Sequence, residues 1–218
     1  DKKNKIILSP FTIFDLVNMV ICAGGNPVFC DVEKKSVTIN MKSILKVYDD
    51  RVAAILITHT HHDHIAFLDD FIFKFPNLKV FGYKESVKKN INNFIGITNR
   101  EIINVGKNIL TAIYTPGHYP DSICYWNIDN KCIFTGDTMF VGRTGRTISS
   151  GSSIEELFNS IYFKLLKLSN STRIYPGHNY GFSKSCTIQE NIQYSPFFQC
   201  KTLAEFKIVM DNYERNRK

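Results

Sequence analysis

Apolar runs rich in β-branched residues recur along the chain, and four of them end at a turn. A short apolar run that is bounded by turn residues is typical of a buried strand. The four runs are residues 52–58, 108–117, 131–136 and 171–177. Two of them end in Pro-Gly, where proline fixes φ and glycine permits a sharp bend. The pattern therefore predicts four strands that stop abruptly at their carboxyl ends.

Helical patterns lie between and after these runs. They cover residues 42–50, 65–75, 84–94 and the stretch from 154 to 168, where Leu157, Ile161, Leu165 and Leu168 share one face. Ser153 with Glu156, and Thr202 with Glu205, form capping-box patterns that open two helices. A hairpin is expected to turn near Asp129-Asn130. Strands interspersed with helices predict an α/β or α+β fold.

Length and composition indicate an ordinary globular protein. The 218 residues are 44% hydrophobic and 22% charged, which suits one domain over 1–218 with a short helical tail at about 185–218. Apolar runs of roughly 18 residues do not occur, so we expect no membrane span. The net charge of +7 comes from scattered lysines and arginines. This favours a solvated basic surface first, attraction of an acidic small substrate second, and nucleic acid last.

The cysteines indicate the redox environment of the protein and not its catalytic chemistry. There are six, at positions 22, 30, 124, 132, 186 and 200, and none forms a CxxC pair. Reduced core thiols are the favoured interpretation, which suits a reducing interior. We expect a cytoplasmic location, or an organelle matrix (mitochondrion or plastid) if a targeting peptide was removed, because residue 1 is Asp and not Met. The oligomeric state is left open.

Histidines are concentrated where the strands end. The segment THTHHDHIA at 58–66 holds four of the six, and the other two each follow a Pro-Gly turn. Imidazole and carboxylate groups bind zinc and similar divalent ions. A site for two such ions needs about seven groups, one of them bridging. The sequence offers seven: His59, His61, Asp63, His64, His118, Asp137 and His178. His62 is then the spare histidine.

The same segments resemble a known superfamily. HTHHDH is similar to the H-x-H-x-D-H signature of the metallo-β-lactamase fold, and TPGH, FTGD and YPGH resemble its later ligand motifs in order. The resemblance implies an αββα sandwich of two mixed β-sheets flanked by helices, with the site at one edge. It also implies a first metal held by His59, His61 and His118, and a second held by Asp63, His64 and His178. Asp137 would bridge the two, and His62 would face solvent or lie behind the site.

Within the superfamily, GDTMFVGRTGRT and YPGHNYG resemble the glyoxalase II group. This implies an enzyme of the hydroxyacylglutathione hydrolase type, which cleaves S-(2-hydroxyacyl)glutathione, typically S-D-lactoylglutathione, in methylglyoxal detoxification. The products are glutathione and the hydroxy acid. A hydroxide bridging two divalent ions would attack the thioester, with zinc expected and iron or manganese as alternatives. Asp63 and Asp137 would be the catalytic carboxylates.

The resemblance also suggests residues that bind the substrate. Arg146, nine positions after Asp137, would grip a glutathione carboxylate, and Tyr180, two after His178, would contact glutathione. Two positions depart from the family pattern, because Tyr119 and Asp121 replace the usual Thr and Gly. The long carboxyl-terminal helical extension of eukaryotic glyoxalase II is also absent from the 218 residues.

Other functions of the same fold stay open. The persulfide dioxygenases keep these ligand residues but use one Fe(II), which here would be held by His59, His118 and Asp137 and would act on glutathione persulfide. A metal-dependent ribonuclease is less favoured, because residues 65–117 leave no length for an RNA-binding insertion. A β-lactamase or a non-catalytic binding module is favoured least. We therefore expect a small glutathione-derived substrate, no nucleic acid and no membrane.

Overall fold

Eleven strands and five α-helices lie in the part of the chain that the computed structural model describes, which is residues 5–8, 26–29, 54–65, 68–86, 93–105 and 108–216. The strands are β1 (Lys5–Leu8), β2 (Asn26–Phe29), β3 (Ala54–Leu56), β4 (Lys79–Tyr83), β5 (Phe94–Ile97), β6 (Ile102–Val105), β7 (Asn108–Tyr114), β8 (Ile123–Asn127), β9 (Cys132–Gly136), β10 (Arg173–Pro176) and β11 (Cys186–Thr187). The helices are α1 (His62–Ile65), α2 (Leu68–Lys74), α3 (Ile154–Tyr162), α4 (Ile188–Tyr194) and α5 (Leu203–Arg215). Two short 3₁₀ turns, Leu165–Lys167 and Pro196–Phe198, follow α3 and α4.

The larger sheet has six strands in the order β11-β10-β9-β8-β7-β6. β9 and β10 pair in parallel, whereas the other neighbours are antiparallel. Because β8 runs opposite to both β7 and β9, the carboxyl ends of β7, β9 and β10 meet at the same edge. This topology brings three of the four predicted ligand-bearing strand ends together.

The smaller sheet has the order β3-β4-β5, with both pairs parallel. Its inner face packs on the larger sheet, and the buried side chains between them include Phe81, Ile97, Leu110 and Tyr125. The Tyr125 hydroxyl donates a hydrogen bond of 2.6 Å to the Ile57 carbonyl and so ties β8 to the end of β3. Among the described strands, β1 and β2 form a separate parallel pair.

Helices cover the outer faces of both sheets. Leu68 and Ile72 of α2 pack with Ile57 and Val80 on the smaller sheet. The outer face of the larger sheet is covered by α3, α4 and α5, whose buried side chains include Leu157, Ile161, Ile188, Phe206 and Met210. The layers are thus helix, sheet, sheet, helix, and the predicted αββα sandwich is confirmed. The carboxyl-terminal tail belongs to this core, since α4 and α5 contribute to it.

Helix starts follow the capping chemistry in the sequence. The Ser153 side chain accepts from the Glu156 amide, and the Thr202 side chain accepts from the Glu205 amide, both at 3.2 Å. In these two pairs only the N-cap half of the predicted capping box forms, since Glu205 accepts from the Lys201 amide instead and Glu156 makes no return contact among the described residues. A full capping box occurs where none was predicted. At the start of α4, Thr187 accepts from the Glu190 amide while the Glu190 carboxylate accepts from the Thr187 amide.

One helix prediction is wrong in part. The helix expected over 84–94 is wrong at its end, because Phe94 pairs with Val80 and begins β5, and residues 87–92 lie outside the described part. The helix expected over 42–50 also lies outside it. The predicted hairpin is confirmed by the pairing of β8 with β9 around the turn at 128–131.

Cys124, Cys132, Cys186 and Cys200 are buried free thiols, and burial raises the pKa of Cys124 to about 11. Cys22 and Cys30 lie outside the described ranges. None of the helices described has the length and apolar character needed to cross a bilayer.

Candidate metal centre

The segment after β3 is hydrogen-bonded to both sheets just before its histidines. The Ile57 amide donates to the Phe81 carbonyl, and the Ile123 amide donates to the Thr58 carbonyl, each at 2.8 Å. His59 follows and is 1% exposed. The chain then turns into α1, which begins at His62 and presents Asp63 and His64.

The other ligand-bearing segments follow β7, β9 and β10. Gly117, just before His118, has φ of +132°, and its backbone packs directly against Leu157, so a side chain at 117 would be excluded. Gly177, just before His178, donates 2.8 Å to the Gly136 carbonyl. A Cβ at 177 would collide with Asp137 Oδ1 and the His64 ring. Glycine is therefore needed in both Pro-Gly-His segments, at 117 for its backbone conformation and at 177 for close approach.

His59, His61 and His118 form the first group of possible ligands. The His61 Nδ1 atom lies 3.0 Å from His59 Nε2 and 3.0 Å from His118 Nε2. These three nitrogens lie close enough together to hold one ion. We call this set the buried group, because His59 and His118 are buried and His61 is half-buried.

Asp63, His64 and His178 form the second group. The Nε2 atoms of His64 and His178 are 3.2 Å apart, and His178 Nε2 lies 3.3 Å from Asp63 Oδ2. The side chains of Asp63 and His178 are 56% and 28% exposed. We call this set the open group.

Asp137 lies between the two groups. Its carboxylate oxygens are 3.7 Å from His118 Nε2, 3.4 Å from His64 Nε2 and 3.5 Å from His178 Nε2. The residue is buried, and Oδ1 has no hydrogen-bond partner among the described residues. A buried carboxylate oxygen without a donor is costly unless a cation neutralises it. The donor set and this oxygen therefore fit divalent metal ions.

Burial and mutual charge set the protonation of these groups. Burial, reinforced by the neighbouring His64, lowers the pKa of His59 to about 2. Burial also lowers the pKa values of His61 and His118. Neutral imidazole is the form that binds metal, so these shifts favour metal binding in the buried group.

The carboxylate of Asp137 has the opposite effect on its histidine neighbours. Burial opposes ionisation of Asp137, but its contact with His64 and the charge of His178 outweigh burial and lower its pKa to about 2. Burial likewise opposes protonation of His64, but the Asp137 contact prevails and raises the His64 pKa. Asp137 is thus an anion that attracts positive charge to the centre of the site.

Outer hydrogen bonds orient two histidines of the buried group. His118 Nδ1 lies 2.8 Å from the Arg146 carbonyl oxygen, which makes Nδ1 the donor and leaves Nε2 as the metal-facing atom. The Thr58 hydroxyl lies 3.3 Å from His59 Nδ1. In both residues Nδ1 makes the outer contact, and Nε2 faces His61 of the buried group.

The remaining predicted residues lie at the rim. His62 is exposed and belongs to neither group, in keeping with its prediction as the spare histidine. The Arg146 side chain is exposed. The Tyr180 ring stacks on the His178 ring with centroids 5.1 Å apart and is 52% exposed.

Sequence reasoning missed several contacts around the site. The Arg143 guanidinium lies 4.2 Å from the Tyr180 ring centroid and 5.2 Å from that of Tyr213 in α5. Asp121 hydrogen-bonds Thr60, the residue between His59 and His61. The unusual Asp121 was visible in the sequence, but its partner lies 61 residues away.

A family model for the metallo-beta-lactamase superfamily matches residues 40–178, which is more than half of the chain. The chain therefore belongs to the metallo-beta-lactamase superfamily. A second model, for the DegT/DnrJ/EryC1/StrS aminotransferase family, matches residues 1–67, which is less than half. The expectation of one domain over 1–218 stays a prediction.

Relatives with known names narrow the class. The probable polyketide biosynthesis zinc-dependent hydrolase PksB of Bacillus subtilis (strain 168) is 32% identical over 158 residues, or 71% of this chain and 69% of that protein. The hydroxyacylglutathione hydrolase of Francisella tularensis subsp. novicida (strain U112) is 34% identical over 130 residues, or 60% of this chain and 50% of that protein. The chain thus spans about half the length of this hydroxyacylglutathione hydrolase.

The fold is also found in solved structures. ETHE1 from Myxococcus xanthus superposes with a TM-score of 0.64 at 24% identity, covering 98% of this chain and 82% of that one. This likeness supports the sandwich architecture. The chain is therefore a superfamily member with hydroxyacylglutathione hydrolases among its relatives.

Proposed function

We propose that the chain is a metal-dependent thioester hydrolase of the glyoxalase II type, which cleaves S-(2-hydroxyacyl)glutathione to glutathione and a hydroxy acid. The observation that carries the proposal is the convergence of the seven predicted ligands into two groups that share Asp137. The names of two relatives, a zinc-dependent hydrolase and a hydroxyacylglutathione hydrolase, support the reaction class and the substrate.

The buried group would hold one divalent ion and the open group a second, with Asp137 contributing to both. Bound zinc-type ions would supply an activated water and would polarise the thioester carbonyl. Their identity as zinc is part of the proposal, with iron or manganese as alternatives.

The side chains themselves divide the remaining work. Asp137 holds the two groups in register, since one buried carboxylate faces histidines of both. Asp63 Oδ2, on an exposed side chain, is assigned to accept a hydrogen bond from the attacking water. Because a thiolate is a good leaving group, the reaction needs no strong acid from the protein to protonate the departing sulfur.

Arg146 and Tyr180 are proposed to bind the glutathione part. The Arg146 backbone is fixed beside the site by its contact with His118, while its exposed side chain is available to a carboxylate. The Tyr180 ring, stacked on His178, would form a wall against which the tripeptide packs.

A second candidate is a persulfide dioxygenase with one Fe(II). The observation that favours it is the burial of its three expected ligands, since His59, His118 and Asp137 are 1%, 8% and 9% exposed. Two histidines and one carboxylate are the ligand set of many non-haem Fe(II) oxygenases. In this alternative the open group would be left without an ion.

Metal analysis and two assays on one preparation separate the candidates. The hydrolase predicts close to two zinc-type ions per chain and release of glutathione from S-D-lactoylglutathione. Iron at one equivalent per chain, with O₂ uptake that depends on glutathione persulfide, would overturn the hydrolase proposal.

A further inference from the structure

We propose that Asp121 is a positioning residue for the buried group, and that it acts by clamping Thr60 so that His59 and His61 converge on one ion. The inference rests on the metal centre of the proposed function but not on its substrate. Asp121 stands where the family pattern has a small residue, so its role belongs to this chain's own residues.

The clamp consists of two hydrogen bonds to one residue. The Thr60 amide donates to Asp121 Oδ1 at 3.1 Å, and the Thr60 hydroxyl donates to Asp121 Oδ2 at 2.7 Å. Both residues are buried, at 6% and 4% exposure. Hydrogen bonds to an ionised carboxylate are stronger than neutral ones, and burial shields them from water. Because both carboxylate oxygens accept hydrogen bonds from Thr60, we assign Asp121 to fixing the loop and not to binding metal.

A clamp on Thr60 fixes the relative orientation of His59 and His61. Thr60 lies between these two histidines, whose facing nitrogens are 3.0 Å apart. A residue fixed at both its amide and its side chain cannot change its backbone angles freely, so the histidines on either side keep their relative orientation.

His61 depends on this clamp more than the other two histidines do. His118 is oriented by the Arg146 carbonyl, and His59 lies beside the Thr58 hydroxyl. Within the described residues, His61 Nε2 donates no comparable hydrogen bond. Its ring instead packs on Tyr119, with centroids 4.2 Å apart. The two departures from the family pattern, Tyr119 and Asp121, therefore both act on the Thr60–His61 segment.

The test compares Zn²⁺ affinities of purified variants by competition with a chromophoric chelator. Substitutions of groups that orient metal ligands typically weaken affinity 10–100-fold. We expect a loss of about that size for the ion of the buried group in Asp121→Ala, which breaks both hydrogen bonds. Thr60→Val keeps the amide hydrogen bond and should lose less. The double variant should be little worse than Asp121→Ala alone, because that change already breaks the whole clamp.

Conservative variants and a remote control separate positioning from general destabilisation. Thr60→Ser keeps both donors and should retain wild-type affinity. Thr187→Ala removes the α4 cap far from the clamp and should lower thermal stability without changing affinity. Asp121→Asn keeps an acceptor for the Thr60 amide and should give an intermediate affinity, and it also serves if Asp121→Ala does not fold.

The visible spectrum of the Co²⁺-substituted protein gives a readout that stability alone would not move. Asp121→Asn and Thr60→Val should shift the d–d bands, whereas Thr187→Ala should not. Wild-type Zn²⁺ affinity and an unchanged Co²⁺ spectrum in folded Asp121→Asn and Thr60→Val would overturn the proposal. Absence of hydrolase activity in the wild type would contradict the proposed function and leave this inference standing.

Discussion

The buried group and the open group use similar side chains but are supported differently. The side chain of His118 is 10% exposed and its outer nitrogen is held by a backbone carbonyl, whereas the side chains of His178 and Asp63 are 28% and 56% exposed. Asp63 and His64 come from the four-residue helix α1. Because preorganised ligands lose less freedom on binding, the buried group should bind its ion more tightly than the open group.

This expected inequality relates the two proposed functions, which share one ligand set. With a metal ion in each group, the site would suit a two-metal hydrolase. With an ion in the buried group alone, it would suit a mononuclear oxygenase. Asp137 belongs to either outcome, since it faces histidines of both groups. Occupancy of the open group is therefore the property that separates the two proposed functions.

The largest expected effect comes from removing the residue that both groups share. Asp137→Ala should abolish detectable activity. It should weaken metal binding by more than ~100-fold, because loss of a ligand itself exceeds the ~10–100-fold loss typical for residues that only orient ligands. Elemental analysis after desalting and the thioester assay measure both. Asp129→Ala, on an exposed hairpin turn, is the matched control. Full metal content in Asp137→Ala would show that the two groups bind without it.

The next effect concentrates on the open group. In Gly177→Ala the new Cβ would meet Asp137 Oδ1 and the His64 ring, so these side chains must separate. We expect loss of the weaker-bound ion and at least ~10-fold lower affinity for it, measured by chelator competition. Gly82→Ala is the control, because its Cβ would first meet the ring edge of Phe94 and then Ile57, away from both groups of ligands. An unchanged second affinity would mean that the crowding at Gly177 is relieved elsewhere.

A smaller effect is expected outside both groups. Arg146→Ala should raise KM for S-D-lactoylglutathione about 10-fold while kcat changes little, because a charge-assisted hydrogen bond contributes about 1.5–3 kcal/mol. Steady-state kinetics measure KM and kcat for this variant, with Arg215→Ala in the last turn of α5 as the control. If KM for Arg146→Ala equals the wild-type value, the proposed carboxylate grip is wrong.

The smallest effect concerns stability alone. Glu190→Gln keeps an acceptor for the Thr187 amide but loses the negative charge at the start of α4. It should cost about 0.3–1 kcal/mol, and so lower Tm by at most about 2–4 °C, with metal affinity unchanged. Hydrogen bonds from Thr187 lower the pKa of Glu190. Its contribution is therefore present above the unfolded-state pKa and is lost as the pH falls through the lower folded-state value. In thermal melts across acidic pH, the Tm difference between the wild type and Glu190→Gln should therefore shrink as the pH falls through this range.

The local parts of the site were predictable, because each ligand follows a strand end in the sequence. HTHHDH and the two Pro-Gly-His segments specify their own turns, and parallel strand ends then bring them to one edge. The Asp121–Thr60 clamp was not predictable, since it joins residues 61 positions apart. Phe94 fits a helical pattern in the sequence, but in the structure it pairs with Val80 in a β-sheet. Here a tertiary contact overrides the local preference. The Thr187–Glu190 box was visible and was overlooked.

Titration of the metal-free wild-type protein with Zn²⁺ tests the central claim most directly. The account predicts two equivalents of unequal affinity, the tighter one lost in His118→Ala and the weaker one lost in His178→Ala, with thioester hydrolysis appearing only as the weaker one fills. Saturation at a single equivalent that His178→Ala leaves unchanged would contradict it.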